Sequence, residues 1–395
     1  MTLNDQILDF GRRARAAARQ LRQCTTAQKD DAVRAMADEL AAAQDAILAA
    51  NADDLARAKT AGLSGAMLER LTLTPKRVAV MADGVREVAA LPDPVGEIIK
   101  EWTRPNGLRI QKKRVPIGVV GIIYESRPNV TSDAAVLCTK TGNATILRGG
   151  SESIASNVAI AAALSAGCAK GGLPADAIQL IPVTDREAVR LMCEMDQYLD
   201  CIVPRGGKGL IETVVQHARM PVIKHFDGIC IMYVDKAADL AMAESLVINA
   251  KCQRPGVCNA IETVLVHSAI AEKFFASTGM ALLKMGVELR CDARSFVALS
   301  SSEGGKIVPA KDEDYRTEFL DLILALKVVD SLDEAIEHVA CQGERQQQEC
   351  DPQVSACVRR QVLEAETDRD RPACGVADRD VSRRVRAQHR QMRAR

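Results

Sequence analysis

A continuous apolar run at residues 117–124 is the feature that most constrains what this chain can fold into. Such a run is typical of a strand that is covered on both faces, and therefore of a parallel sheet. Further apolar runs follow at spacings that leave room for helices; they lie at 144–147, 178–181, 201–203 and 228–234. Helical patterns fill the gaps, at 154–166, 186–195 and 209–217. This alternation predicts a doubly wound α/β fold.

The segments that flank this alternation carry different patterns. Residues 1 to about 90 have apolar residues at spacings of three and four, which predicts helices that pack on the sheet. An alternating stretch at 107–115 predicts a strand of a hairpin or arm, within a segment of about 96–116. A second α/β unit is predicted to begin near Asn249, with strands at 260–266 and 322–329.

Composition narrows the classes of function. The chain has 395 residues, enough for two or three domains, with 52 basic and 52 acidic residues and 3% aromatics. Without net positive charge or many aromatic side chains, no nucleic acid partner is expected. No stretch reaches the roughly 18 apolar residues of a membrane span, so no membrane partner is expected. The absence of a secretory signal, and 13 scattered cysteines without zinc spacing, predict a cytoplasmic protein with reduced thiols and no metal.

A cysteine in a loop that contains Gly and Pro is the strongest chemical signal. Cys258 lies in the segment 249–259, directly before an apolar run. A nucleophilic thiolate needs a partly open position and positive neighbours that lower its pKa, and Lys251 and Arg254 are near in sequence. From the residues alone the alternative stays open that Cys258 is a small core side chain.

Five motifs occur in order along the chain, at 124–131, 140–144, 147–152, 203–207 and the Cys258 loop. Together they closely resemble the gamma-glutamyl phosphate reductases (glutamate-5-semialdehyde dehydrogenases), a group within the aldehyde dehydrogenase superfamily. The similarity extends from about residue 5 to about residue 340. It implies an aldehyde dehydrogenase-like α/β architecture: a Rossmann-like NADP-binding domain at 1–248 that carries an oligomerisation arm, and an α/β catalytic domain at 249–340.

The resemblance also implies a reaction. Cys258 matches the family nucleophile, and its thiolate would attack the γ-carbonyl of L-glutamyl 5-phosphate and expel phosphate. The resulting thioester would be reduced by hydride from NADPH to glutamate 5-semialdehyde, a step of proline biosynthesis. The expected partners are this small-molecule substrate, glutamate 5-kinase as pathway partner, and further copies of the chain in a homo-oligomer. Cys252 matches a variable position and is expected to be structural.

Two glycine turns and one acid are the implied cofactor-binding residues: Arg148, Gly149, Gly150, Ser151, Gly206, Gly207 and Glu318. Glycines let the backbone approach a phosphate, and the start of the helix that follows favours an anion. Ser151 stands where NAD-specific relatives have a Glu, and Arg148 adds a cation that suits a 2′-phosphate, so NADP is favoured over NAD. Without the resemblance, these segments also suit ordinary turns and caps, and Glu318 a surface acid before a strand.

Three further polar residues are assigned to catalysis or to the substrate. Asn129 is the expected oxyanion donor, because a side-chain amide stabilises charge on a tetrahedral intermediate. Arg127 and Arg254 are expected to bind the substrate's carboxylate or phosphate. A structural salt bridge is the open alternative for Arg127.

The stretch at 224–228 lacks the Glu with which hydrolytic members of the superfamily activate water against the thioester. An enzyme whose thioester has to react with hydride and not with water has reason to lack such a base. His225 and Asp227 are the residues there that could replace it, and a plain loop is the alternative. The missing Glu argues against another aldehyde dehydrogenase that oxidises a small aldehyde, which is one alternative function.

The segment 341–395 departs abruptly from the rest of the chain, with 12 Arg, no Lys and no aromatic residue. Such a segment buries little apolar area and is expected to be disordered. The motifs with which the family continues are missing, which favours a shifted reading frame. This raises another alternative, an inactive or partly folded subunit of the same fold, and makes the expected oligomer doubtful.

Overall fold

The computed structural model describes residues 2–63, 65–125, 127–224, 228–300, 306–348 and 361–363, which form two compact units. Residues up to 224 belong to the first unit, and residues 228–348, with 361–363, belong to the second. The sequence predicts this boundary at residue 248. It lies earlier because strand Cys230–Val234 pairs with Ile261–His267 in the second sheet.

The first unit begins with helices whose ends are set by local side-chain caps. Thr2 and Asp5 form a reciprocal capping box at the first helix, and Thr25 and Gln28 form another at the second. The helices are Leu3–Leu21 (α1), Thr26–Ala42 (α2), Gln44–Thr60 (α3), Gly65–Leu71 (α4) and Pro75–Ala90 (α5). Apolar side chains from these helices join the following sheet in one hydrophobic core, which confirms the predicted helical segment.

An exposed hairpin follows these helices. Ile98–Thr103 (β1) and Arg109–Lys113 (β2) pair antiparallel, and every residue of β1 is exposed. This confirms the hairpin predicted at about 96–116. Large apolar side chains on the hairpin and its flank are exposed: Ile98, Ile99, Trp102, Leu108, Val115 and Ile117. A group of exposed apolar side chains is a surface suited to contact with another molecule.

A four-stranded parallel sheet forms the core of the first unit, in spatial order β5-β4-β3-β6. Its strands are Val119–Tyr124 (β3), Ala144–Arg148 (β4), Ile178–Leu180 (β5) and Cys201–Arg205 (β6). Every residue of β3 is buried, as the apolar run predicts. The chain adds β4 and β5 on one side of β3 and β6 on the other, so the winding reverses between β3 and β6. Ligands of doubly wound sheets bind at the carboxyl ends of the strands at such a switch point.

The strands of this sheet alternate with helices Asn129–Lys140 (α6), Ile154–Lys170 (α7), Glu187–Cys193 (α8) and Lys208–His217 (α9). A Cβ on Gly167 of α7, or on Gly171 directly after it, would collide with the backbone of α2, so these glycines allow the two helices to touch. The helical segment Ser151–Lys170 is long and apolar enough to cross a membrane by length and composition, and half of it is buried. Core helices of soluble proteins can be equally long and apolar. Packing on α2 accounts for the apolar composition of α7.

The second unit is built on a six-stranded sheet, in spatial order β10-β9-β11-β8-β7-β12, whose paired strands are parallel. The strands are Cys230–Val234 (β7), Ile261–His267 (β8), Glu288–Cys291 (β9), Ile307–Pro309 (β10), Ile323–Val329 (β11) and Gln361–Leu363 (β12). The helices are Leu240–Cys252 (α10), Ala271–Phe274 (α11), Met280–Lys284 (α12), Ala293–Leu299 (α13) and Leu332–Gln348 (α14). The two parallel sheets with their helices confirm the predicted α/β fold.

The last helix, α14, continues past residue 340, where the sequence predicts that family-like structure ends. Beyond it, the short strand β12 pairs with β7. Residues 349–360 and 364–395 lie outside the described part of the chain. The predicted disorder of the segment 341–395 therefore stays a prediction for those residues.

Candidate active site

Cys258 lies in the loop between α10 and β8, and its thiol is exposed. Its backbone carbonyl accepts a hydrogen bond from the Cys230 thiol, with 3.6 Å between sulfur and oxygen. Cys341 is exposed as well. Five other cysteines are buried, and burial raises the pKa of their thiols: Cys138, Cys168, Cys193, Cys201 and Cys291. Those thiols are held in the unreactive form, whereas the Cys258 thiol is open to a substrate.

Glu318 and the Cys258 loop meet at Gly228. A Cβ placed on Gly228 would lie 2.9 Å from the Cys258 carbonyl oxygen and 3.8 Å from Oε1 of Glu318. Glycine at 228 therefore lets the backbone of the cysteine loop approach the segment before β7, and the Glu318 side chain lies at ordinary contact distance from the same position. The structure brings together two residues that are 60 positions apart in sequence and that the family resemblance assigns to one site.

Lys251 has a different environment from the one that the sequence predicts. Its side chain is completely buried, and its Nζ lies 2.7 Å from Oε2 of Glu262, which is 1% exposed. The charge of Lys251 is therefore compensated within the core. Cys252, the last residue of α10, is half-buried, and burial raises its thiol pKa, as suits a structural cysteine. Arg254 is exposed in the loop.

Glu262 is a residue that the sequence does not single out. It is the second residue of β8, which follows the cysteine loop. Its Oε1 accepts a hydrogen bond from the Leu320 backbone N–H at 3.4 Å. Burial raises its pKa to about 6, while the bond from Lys251 acts in the opposite direction. An acid inside the apolar run 260–266 was the signal that could have found it.

Arg148, at the end of β4, is buried and bonded to a neighbouring loop. Its Nη2 donates to the carbonyl oxygens of Thr184 at 3.0 Å and Asp185 at 3.4 Å. Its Nε is buried and has no hydrogen-bond partner among the described residues. Burial lowers the pKa of this guanidinium. The side chain that the sequence assigns to a 2′-phosphate thus also holds the 184–185 loop against the turn after β4.

The turn after β4 is crowded by side chains of the chain itself. A Cβ on Gly149 would collide with Nδ2 of Asn157, and a Cβ on Gly150 would collide with Oε1 of Glu152. Ser151 is exposed, and its hydroxyl lies 3.4 Å from Oε2 of Glu152. The sequence leaves position 151 without a carboxylate, but the structure places the Glu152 carboxylate beside it.

A backbone amide in the turn after β6 donates a hydrogen bond to a carboxylate. The Gly207 N–H, at the start of α9, donates to Oε2 of Glu125 at 2.9 Å, and a Cβ on Gly206 would lie 2.6 Å from Cδ of Glu125. Glu125 directly follows β3, across the switch point from β6. It therefore occupies the place that the sequence assigns to the cofactor diphosphate. Its position directly after the longest buried strand run was the signal that could have found it.

The remaining residues of the first unit are placed as follows. Asn129 is exposed at the start of α6, and its Nδ2 donates to Oδ2 of Asp133 at 2.9 Å. Burial raises the pKa of Asp133. Arg127 is half-buried just before this helix. The amide of Asn129 is therefore engaged along its own helix.

Two predictions concern groups that the structure does not test. His225 and Asp227, the residues that could replace the missing water-activating Glu, lie outside the described residues. Within the described ranges, no group of three or more His, Cys, Asp or Glu side chains is placed to hold a metal ion.

Comparison with known proteins relates this site to a family. The family model "Aldehyde dehydrogenase family" matches residues 4–302. The chain therefore belongs to the aldehyde dehydrogenase family and is an oxidoreductase of the class that acts on aldehydes.

Individual relatives are more specific. The gamma-glutamyl phosphate reductase of Moorella thermoacetica is 54% identical over 329 residues, which cover 83% of this chain and 78% of that protein. The crystal structure of gamma-glutamyl phosphate reductase from Thermotoga maritima superposes with a TM-score of 0.78 at 42% identity, covering 85% of this chain and 80% of that one. An engineered glycolyl-CoA reductase with bound NADP+ shares the fold alone, with a TM-score of 0.58 at 14% identity, over 90% of this chain and 86% of that one. Within its family, the chain belongs with the gamma-glutamyl phosphate reductases, which confirms the resemblance carried by the five motifs.

Proposed function

We propose that this chain reduces L-glutamyl 5-phosphate to L-glutamate 5-semialdehyde and phosphate in proline biosynthesis, with NADPH as reductant and Cys258 as nucleophile. The observation that carries the proposal is the exposed Cys258 thiol in a loop that meets Glu318 at Gly228. Membership of the gamma-glutamyl phosphate reductases supports the choice of substrate.

The role of Cys258 follows from the chemistry of an acyl phosphate. The thiolate adds to the γ-carbonyl carbon, the carbon–oxygen bond to phosphate breaks, and phosphate leaves with the electron pair, so that a thioester remains on the cysteine. Bound NADPH supplies hydride chemistry at the thioester carbon. When the carbon–sulfur bond breaks, the aldehyde is released and Cys258 regains its thiolate. A thiolate suits both halves because it is a good nucleophile near neutral pH and a good leaving group.

The two glycine turns of the first unit are proposed to hold a nicotinamide dinucleotide at the carboxyl edge of the sheet, which requires the Glu125 carboxylate to leave the Gly207 N–H. The turns after β4 and β6 each contain two consecutive glycines, and they lie on strands next to the switch point at β3. Arg148 and Ser151 are proposed to face the 2′-phosphate. Glu318 is the proposed ribose-binding residue, as the family resemblance implies. The Glu152 carboxylate beside Ser151 opposes a 2′-phosphate, so the choice of NADP over NAD is part of the test.

The other proposed roles use residues at the ends of the same elements. Asn129 is proposed as the oxyanion donor, which requires its amide to leave Asp133. Arg127 and Arg254 are proposed to bind the substrate's carboxylate and phosphate. Glutamyl 5-phosphate has to be supplied by a kinase that phosphorylates glutamate, and glutamate 5-kinase is the proposed partner.

The test is an assay of the reverse reaction with purified protein. Glutamate 5-semialdehyde, phosphate and NADP+ are mixed with enzyme, and NADPH is followed by its absorbance. We expect turnover that requires phosphate, that is slower with NAD+, and that falls by about a thousandfold or more in Cys258→Ala. Cys252→Ala is the matched control and is expected to keep turnover within about threefold, because its thiol is half-buried.

Two other results would overturn the proposal. Oxidation of the aldehyde without phosphate would identify an aldehyde dehydrogenase with a different acyl acceptor. A folded, soluble protein without any turnover would identify an inactive subunit of this fold.

A further inference from the structure

A buried ion pair encloses the Cys258 loop from both ends. Lys251 belongs to the last turn of α10, seven residues before Cys258, and Glu262 belongs to β8, four residues after it. Their side chains are 0% and 1% exposed, with 2.7 Å between Nζ and Oε2. The interaction therefore fastens the end of the helix to the start of the strand at the base of the loop.

Apolar residues in place of this pair would be expected to stabilise the fold about as well as the two charges do. Taking two charges out of water is costly, and replacing a buried pair by apolar residues of similar volume is often neutral or stabilising. Residues on either side of Glu262 in β8 are buried and mostly apolar. Core stability alone therefore gives no reason for charges at 251 and 262.

The second oxygen of Glu262 makes a contact outside the pair. Oε1 accepts the Leu320 N–H at 3.4 Å, so Glu262 links the cysteine loop to the segment that carries Glu318. Leu320 has a φ of 54°, and it is the one non-glycine residue of the described chain with a positive φ. A side chain with a Cβ is strained in this left-handed region, so the conformation has to be held by its surroundings.

We propose that Glu262 is a positioning residue for the cofactor side of the site. Lys251 compensates the charge of Glu262 in the core, and the second carboxylate oxygen of Glu262 accepts the Leu320 N–H. That contact holds the backbone at 318–320 in its left-handed turn and keeps Glu318 beside Gly228 and the Cys258 carbonyl. The inference rests on the proposed function, in which Glu318 binds the ribose of NADPH.

Two double variants separate the contact to Leu320 from the charge pair. Lys251→Met with Glu262→Gln removes both charges but keeps a side-chain oxygen for the Leu320 N–H. Lys251→Met with Glu262→Leu removes the charges and the acceptor. We expect the dissociation constant for NADPH, measured by fluorescence, to stay within about threefold of wild type in the Gln variant and to rise at least tenfold in the Leu variant. At saturating NADPH, kcat is expected to change less than about threefold in both, because Cys258 is retained.

A buried ion pair in the first unit is the matched control. Lys29 and Asp93 are 2% and 5% exposed, with 2.5 Å between Nζ and Oδ2. Lys29→Met with Asp93→Asn is expected to shift the melting temperature without changing the NADPH dissociation constant. A change in NADPH affinity in this control equal to that of the Leu variant would overturn the proposal, because it would show a general effect of lost core charges.

The remaining outcomes are equally decisive. A folded Leu variant that binds NADPH within twofold of wild type overturns the positioning role. If the Leu variant does not fold, Glu262→Asp takes its place: the side chain is one methylene shorter, so NADPH affinity should again fall tenfold, and unchanged affinity contradicts the proposal. Failure of the wild-type protein to bind NADPH at all would instead contradict the proposed function.

Discussion

At the scale of single residues, the carboxylates close to the two glycine turns are the main addition of the structure. Glu125 accepts the Gly207 amide, and Glu152 lies beside Gly150 and Ser151. A Cβ on Gly149 would collide with the buried Asn157 side chain, whereas at Gly150 and Gly206 the nearest atoms include the flexible ends of Glu152 and Glu125, and at Gly207 the contact is an ordinary one. Crowding by the chain's own side chains therefore accounts for glycine at 149 and not for glycine at 207.

Glu125 is expected to oppose cofactor binding. Its negative charge occupies the amide at the start of α9 that suits the cofactor diphosphate, so the substitution Glu125→Gln should lower the NADPH dissociation constant about three- to tenfold. Titration by fluorescence in low salt measures the change. Glu212→Gln, an exposed acid further along α9, is the control and should have no effect. Weaker NADPH binding in Glu125→Gln would show instead that Glu125 supports the turn for the cofactor.

Residue roles were predictable to different degrees. Cys258 is predicted as the nucleophile from its loop and the family motif, and its exposure in the structure is compatible with the role proposed for it. The environment of Lys251 was not predictable, because its partner Glu262 lies eleven residues away on a strand, and sequence spacing does not reveal which charges a core will pair.

At the scale of elements, the exposed hairpin is the segment whose role is still to be tested. Its strands make a two-stranded sheet of their own, and apolar side chains on it and its flank are exposed. A two-stranded hairpin is only marginally stable by itself in water, so a surface that covers it would stabilise it. The family resemblance assigns this hairpin to contact between copies of the chain.

Trp102 provides the test of that assignment. It is 38% exposed on β1, and Trp102→Glu would place a charge within any apolar contact made there. We expect the mass in solution, measured by light scattering after size exclusion, to fall from an oligomer to a monomer. Val297→Glu, at a 73% exposed apolar position on α13, is the control that should leave the mass unchanged. A wild-type protein that is already monomeric at all concentrations would contradict the assignment.

Most elements were predictable because their signals are local. The long apolar runs and the helical spacing each correspond to an observed strand or helix, from β3 to β11. The short strands β9 and β10 were not predicted. They are defined by their neighbours in the sheet and not by their own sequence.

At the scale of the whole molecule, one buried histidine makes the free energy of unfolding depend on pH. His338 of α14 packs edge-on against Tyr315 with ring centroids 5.2 Å apart, and its Nδ1 lies 3.2 Å from Nζ of Lys327. Burial, and then the Lys327 charge, lower its pKa from 6.5 to about 4. In the unfolded chain His338 takes up a proton below pH 6.5, and in the folded chain only below about 4.

The free energy of unfolding should therefore fall as the pH drops from about 6.5 to about 4. The full effect of this one group is about 3 kcal/mol. Urea unfolding at a series of pH values measures it. His338→Phe keeps a ring against Tyr315 but cannot take up a proton, so its stability should depend less steeply on pH in this window. Equal slopes for the variant and the wild-type protein would show that another group is responsible.

The segment after residue 340 limits what the whole chain can do. Its sudden change in composition favours a shifted reading frame, and translation of the neighbouring nucleotides in the other two frames tests this. We expect one of those frames to continue with the motifs of the gamma-glutamyl phosphate reductases. If neither frame contains them, the Arg-rich segment is genuine, and the oligomer and active site have to be completed without the family's C-terminal part.

The sequence by itself determined the α/β class and the family, because each depends on local periodicity or on motifs of adjacent residues, and the same motifs carry the proposal that Cys258 is the nucleophile. Only the tertiary structure decided the unit boundary near residue 226, the burial of Lys251 against Glu262, and the position of Glu125 on the Gly207 amide. Each of these depends on which strands pair and on which side chains then share a space without water. Contacts of that kind join residues far apart in the chain, and no local sequence pattern predicts them.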